Sequence, residues 1–235
     1  IILDFGVASA TAVLVQDTRT GEYGPGRGIH NAQNGIPDRL TVIGIPHLGQ
    51  RPILSGGDAT RIFFVYEDAT RSGMGGELTL KHLELRNGIV SIGANPGGGA
   101  AIYAASGSRL WLFDLIFVDN VQSDPGTTNH YGGGAVSLGL ENTALHGGAD
   151  AVIKSCVFEN NTAKFGGALF VSGTGSSAVI TDSNFTGNLA TTHGGSFTIR
   201  GATSVLSCAR CIVEGNSAKG SGNGVGGGLY AVSSI

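Results

Sequence analysis

Four positions recur down this chain in one register. With Phe117, Phe158 or Phe185, or the residue standing in for it, set as position zero, apolar-biased residues fall at minus seven, minus five, minus two and zero. The rows read Leu78, Leu80, Leu83, Leu85; Leu110, Leu112, Leu115, Phe117; Ala151, Ile153, Cys156, Phe158; Ala178, Ile180, Ser183, Phe185; and Leu206, Cys208, Cys211, Val213. Two residues apart means one face of a strand. The three-residue step from minus five to minus two breaks that alternation, so two short strands meet at a bend. At plus three stand Asn120, Asn161, Asn188 and Asn216, whose amides suit a corner, tolerate a left-handed conformation and would stack into a ladder.

Nineteen residues before position zero a Gly-Gly pair occurs at Gly98, Gly166 and Gly194, followed by a small residue and then Ile102, Phe170 or Thr198. This predicts a third strand entered through a tight glycine turn. The fold expected is therefore all-β: a right-handed parallel β-helix, a solenoid of roughly seven rungs with three short strands per rung. Each rung buries its apolar face only when neighbours cover it, and crossovers between parallel strands are overwhelmingly right-handed. The zero positions are spaced by 32, 41, 27 and 28 residues; the short steps approximate a bare rung and the long ones carry loops.

Residues 1–235 are read as one β-helix domain, with clear repeats over 78–230 and a weak pattern over 1–39. A fresh Gly-Gly-Gly-Leu-Tyr at Gly226 to Tyr230 resembles the start of another rung, which suggests a fragment of a larger chain. Upstream, Leu40, Val42, Ile45 and His47 reproduce the four-position spacing, and Arg61 to Val65 reads as a strand. Only 13% of residues are charged and 41 are Gly, against about 25% charged in ordinary globular proteins. A net charge of −3 without a basic run gives no general attraction for nucleic acid. No apolar run is long enough for a transmembrane helix.

The motifs FVDN at Phe117, FENN at Phe158 and FTGN at Phe185, with GGAV at Gly133 and GGAL at Gly166, resemble the paired motifs of polymorphic outer-membrane proteins, the chlamydial autotransporter adhesins. Similar repeats occur in large surface proteins of other bacteria, algae and protists. The resemblance covers about Leu78 to Tyr230. It departs at VEGN of Val213, at GGSF of Gly194, and at Leu85, where Asn87 and Gly88 follow; the family's translocating barrel has no counterpart here. It implies a secreted, surface-displayed adhesin or structural scaffold that meets protein or glycan at a cell surface or in an extracellular assembly. The broader likeness to pectin-lyase-like β-helices implies fold more than activity.

An enzyme of that broader class is the alternative reading, and stacked outward columns are where it would show. The minus-three column reads His82, Asp114, Ser155, Asp182, Arg210. With rungs about 4.8 Å apart, Asp114 and Asp182 would lie roughly 9.6 Å apart, near the upper end of the separation of about 6.5–9.5 Å that inverting glycosidases use. Arg210 would then face a sugar carboxylate. The simpler account is that minus three is a bend exposed to water, where polar residues belong. A building block of an extracellular filament or cell wall is a third reading.

For ligand or partner contact, the minus-six column of Trp111, Val152 and Val179 is more apolar than a solvated face requires. Asp124, His130, Tyr131, Glu141 and His146 fall in the insertions of one rung, and long loops often carry function. Asn160 and Asn184 head sequons, and Asn184, next to Phe185, should point outward. The six histidines show no metal-ligand spacing, and no cofactor is expected. Cys156, Cys208 and Cys211 sit at core positions and read first as buried thiols acting as small hydrophobes, with a local Cys208–Cys211 disulfide second.

Overall fold

In the computed structural model the described residues are 2–3, 11–13, 39–46, 49–65, 75–90, 98–123, 132–139, 148–220 and 225–232. All of their regular structure is strand, and every strand pair is parallel. The strands form four sheets of seven, seven, five and six members, the arrangement of a parallel β-solenoid.

The register of the rows is the register of the sheets. In the first sheet, built on strands such as Glu77–Lys81, Arg109–Phe113, Asp150–Lys154 and Ser177–Thr181, Leu78, Leu110, Ala151, Ala178 and Leu206 pair in line, as do Leu80, Leu112, Ile153, Ile180 and Cys208. In the second sheet Leu85, Phe117, Phe158, Phe185 and Val213 line up. The three Phe rings stack with centroids 4.5 and 4.6 Å apart and planes within 11°; Phe197 closes the stack edge-on at 4.5 Å. These rings are fully buried, so the zero column is the spine of the core.

Both bends are made by left-handed residues. One is the minus-three position, where His82, Asp114, Ser155, Asp182 and Arg210 all have φ between 53° and 57°. The other is plus two, with Asn87, Asp119, Asn160, Gly187 and Gly215. The expectation that the plus-three Asn itself takes the left-handed conformation is therefore corrected by one residue. The plus-three side chain is wanted inside instead. Asn120, Asn161 and Asn188 are fully buried, and each Nδ2 donates to the zero-position carbonyl one rung back and to the Oδ1 of the next Asn. For Asn161 these bonds run to Phe117 O and Asn188 Oδ1, both 3.0 Å. The ladder ends at Gly88, whose N–H donates to Asn120 Oδ1. A Cβ at Gly88 would meet Ala100 O at 2.3 Å, so an Asn has no room there.

Four strands per turn replace the three expected. The addition is the short sheet Ile89–Val90, Val121–Gln122, Thr162–Phe165, Leu189–His193 and Ser217–Ala218, which lies between the Asn corner and the glycine turn. It has as few as two residues per strand, too short for period-two alternation to register. The glycine column shifts too: Gly99, not Gly98, aligns with Gly133, Gly166, Gly194 and Gly226. The inward third-strand positions are accordingly Ile102, Val136, Leu169 and Phe197, not Phe170 and Thr198. Near the start, Leu54 and not His47 pairs with Leu85. Ile45 is exposed, and His47 lies outside the described residues.

Ser183 is the polar exception among the inward positions. Its hydroxyl donates to Thr181 O and accepts from Cys156 N at 3.1 Å, which gives the buried Cys156 N–H at the bend its partner. Cys156 fits the buried-thiol reading, and burial pushes its thiol up to about 12. Cys208 and Cys211 do not: they form a disulfide across the bend at Arg210.

Candidate functional site

The minus-three column stacks in the order expected, and its charges are spent on one another. Asp114 accepts from Arg51 Nη2 at 2.6 Å and meets His82 Nδ1 at 2.7 Å; Arg51 Nη1 also donates to the Asp114 carbonyl. The Arg51 hydrogen bond chiefly, and that of His82, hold the Asp114 carboxyl below the usual carboxylate range. Arg210 clamps Asp182 through both oxygens, at 2.5 and 2.9 Å, and lowers its carboxyl likewise. Ser155 separates the two pairs. A general acid needs a carboxyl whose pKa is raised toward the working pH, the opposite of what either pairing produces. Arg51, 63 residues upstream, falls at minus three once Leu54 is position zero; with His47 taken as position zero it carried no signal.

The outer face of the first sheet has a different character. Trp111, Val152 and Val179 pair in line as the minus-six column, with Val152 39% and Val179 46% exposed. Thr41 and Thr79 continue it beyond Trp111. Beside it, at minus four, runs a column that sequence reasoning passed over: Lys81, Phe113, Lys154. Its signal was the same alternation two residues on. Lys81 Nζ lies 5.4 Å from the centre of the Phe113 ring, a cation–π contact.

On the other flank, Arg39, Glu77, Arg109 and Asp150 pair in line. Glu77 bridges Arg39 at 2.7 Å and Arg109 at 3.6 Å, and Asp150 accepts from Ser177 Oγ. A shallow depression of about 560 Å³ opens here, lined by residues that include Thr79, Lys81, Arg109, Trp111 and Phe113.

Asn184 is exposed on the outer face of the second sheet while Phe185 is buried, as the alternation requires. Asn160 is exposed at the plus-two bend. Asp124, His130, Tyr131, Glu141 and His146 lie outside the described residues. Among the described residues no His, Cys, Asp and Glu group together to hold a metal, and no helix is long and apolar enough to cross a membrane. Comparison with family models, with curated proteins and with solved structures finds no match to this chain.

Proposed function

We propose that this chain is a recognition or scaffold segment of an extracellular or cell-surface protein, a right-handed parallel β-helix of about seven rungs akin to the polymorphic outer-membrane adhesins, and that it binds through a side face without cleaving what it binds. The observation that carries this reading is the outer face of the first sheet. Val152 and Val179 stand exposed, and Trp111 half-buried, in one straight column on a hydrogen-bonded lattice. A preformed, flat surface of this kind loses little entropy on binding, and its aromatic and aliphatic side chains suit an extended partner. The paired state of Asp114 and Asp182 favours binding over glycoside cleavage.

A screen of the chain against acidic and neutral polysaccharides, with Asp114→Ala and Asp182→Ala alongside, tests this. Binding without turnover, retained in both variants, is expected. Cleavage abolished in both variants would establish the enzyme instead. Failure to bind any glycan would move the function to protein partners or to assembly.

A further inference from the structure

From the geometry of the first sheet's outer face we infer the chemical class of its ligand: a linear glycan carrying one anionic group, carboxylate or sulfate, per disaccharide, lying along the solenoid axis over Phe113 with Trp111 at its flank. This rests on the recognition reading above and narrows it.

Three observations converge. First, Trp111 and Phe113 are outward neighbours on one strand, and aromatic faces beside each other on a rigid strand are the surface on which the C–H faces of pyranose rings pack. Secondly, the two cations of the minus-four column are available. Lys81 and Lys154 make no ion pair among the described residues; Asp182, the carboxylate that senses Lys154, is held by Arg210. The face as a whole holds Arg39, Lys81, Arg109 and Lys154 against Glu77 and Asp150. It is thus positive by two charges on a chain whose net charge is −3.

Thirdly, the spacing of the two lysines matches one repeat of such a ligand. Phe113 pairs with Lys81 on one side and Lys154 on the other, so the two lysine backbones stand two rungs apart, roughly 9.6 Å at about 4.8 Å per rung, and the Lys81 ammonium, now over the Phe113 ring, must swing off it to meet an anion. That is close to the length of one disaccharide in an extended glycan. A chain in which charged and neutral sugars alternate would set successive anions on Lys81 and Lys154 and the intervening sugar on Phe113. An acidic peptide in β conformation repeats one face about every 6.7 Å, short of the two-rung spacing, and a vesicle surface has no fixed period at all.

The chain has a single tryptophan, Trp111, so its fluorescence reports this face alone. The test titrates the chain with hexasaccharides of hyaluronate, which has one carboxylate per disaccharide, and of κ-carrageenan, which has one sulfate. Carboxyl-reduced and desulfated counterparts serve as the neutral arms, and calorimetry runs in parallel. The expected result is a Trp111 fluorescence change with at least one charged hexasaccharide and none with its neutral counterpart. Affinity should fall tenfold or more in the Lys81→Gln/Lys154→Gln double variant, whose substitutions on the outer face, half-buried at Lys81 and exposed at Lys154, leave the thermal midpoint within a few degrees.

Equal binding of charged and neutral forms, or undiminished binding by the double variant, would overturn the inference. Heat of binding without a Trp111 signal would also overturn it while leaving glycan recognition intact elsewhere on the surface. Binding of anionic vesicles or poly-glutamate in preference to both hexasaccharides would replace the glycan with a different anionic partner. No binding in any arm overturns this inference; the neutral and acidic panel above then decides the broader reading.

Discussion

At the plus-three corner of every turn the residue is Asn where there is space for it, whereas at the minus-three corner it is His, Asp, Ser, Asp and Arg in succession. Both corners contain a left-handed residue, at plus two and at minus three, so the backbone problem is the same. What differs is where the side chain goes. The Asn amides point into a dry interior, where an unpaired backbone carbonyl costs about 1–3 kcal/mol, and only an amide can accept from one rung while donating to two groups. At minus three the side chain leaves the bend for solvent, where almost any polar residue suffices. Uniformity thus marks the corner that stability governs, and variety marks the one free to acquire pairs such as Arg51–Asp114 and Arg210–Asp182.

The comparison breaks most severely if an inner Asn proves dispensable. Asn161→Ala removes the bonds to Phe117 O and Asn188 Oδ1 and those from Asn120 N and Nδ2, and leaving the buried Asn120 N–H without its acceptor should cost about 1–3 kcal/mol. Chemical denaturation would show it as a fall in midpoint, and a loss below 1 kcal/mol would mean that the ladder is ornamental. The same experiment makes Cys156 a reporter: its buried thiol, pushed up to about 12, should resist a thiol reagent in the native protein and react once the rung opens.

A smaller effect isolates the backbone requirement of the outer corner. Ser155 is exposed with φ 55°. Ser155→Val should cost about 1 kcal/mol or more, because a branched Cβ clashes in the left-handed region, although it removes no contact. Ser155→Gly should hold or raise stability, the relief of that clash offsetting the added freedom of the unfolded chain. Equal melting of the two variants would show that the bend does not constrain the residue.

The smallest effect belongs to the outer ion pairs. The folded-state pKa of Asp114 is depressed, so its contribution is present above the unfolded value of about 3.9 and is lost as pH falls through the folded value. With the carboxylate more than a third exposed, screening keeps the contribution under about 1 kcal/mol. Stability curves of the parent and Asp114→Asn should therefore run parallel and slightly apart near neutrality and converge in acid. A separation that widens on acidification would reverse the sign of the coupling.

Much of this protein was legible in the order of its residues because the solenoid repeats one local pattern and each repetition confirms the last. The columns of Leu80, Leu112, Ile153 and Ile180, the Phe spine, the Asn ladder and the outward turn of Asn184 follow from period-two alternation interrupted at fixed bends. Where the pattern shortens or an insertion intervenes, local information stops. Two-residue strands such as Ile89–Val90 carry no period, which concealed a fourth sheet.

Spacing put Ile45 at minus two and His47 at position zero, and only stacking on Leu85 selects Leu54 instead. Gly99 displaces Gly98 for the same reason, since the next rung fixes the turn. Spacing alone read Cys208 and Cys211 first as separate core thiols, but the bend between them brings their Cα atoms to 6.1 Å, and they join as a disulfide. The pairing of Arg51 with Asp114, and the standing of Lys81 and Lys154 on either side of Phe113, were likewise decided only in three dimensions. Residues tens of positions apart become neighbours when rungs about 4.8 Å apart are laid in register, and side chains that look outward are specified by what stands above and below them.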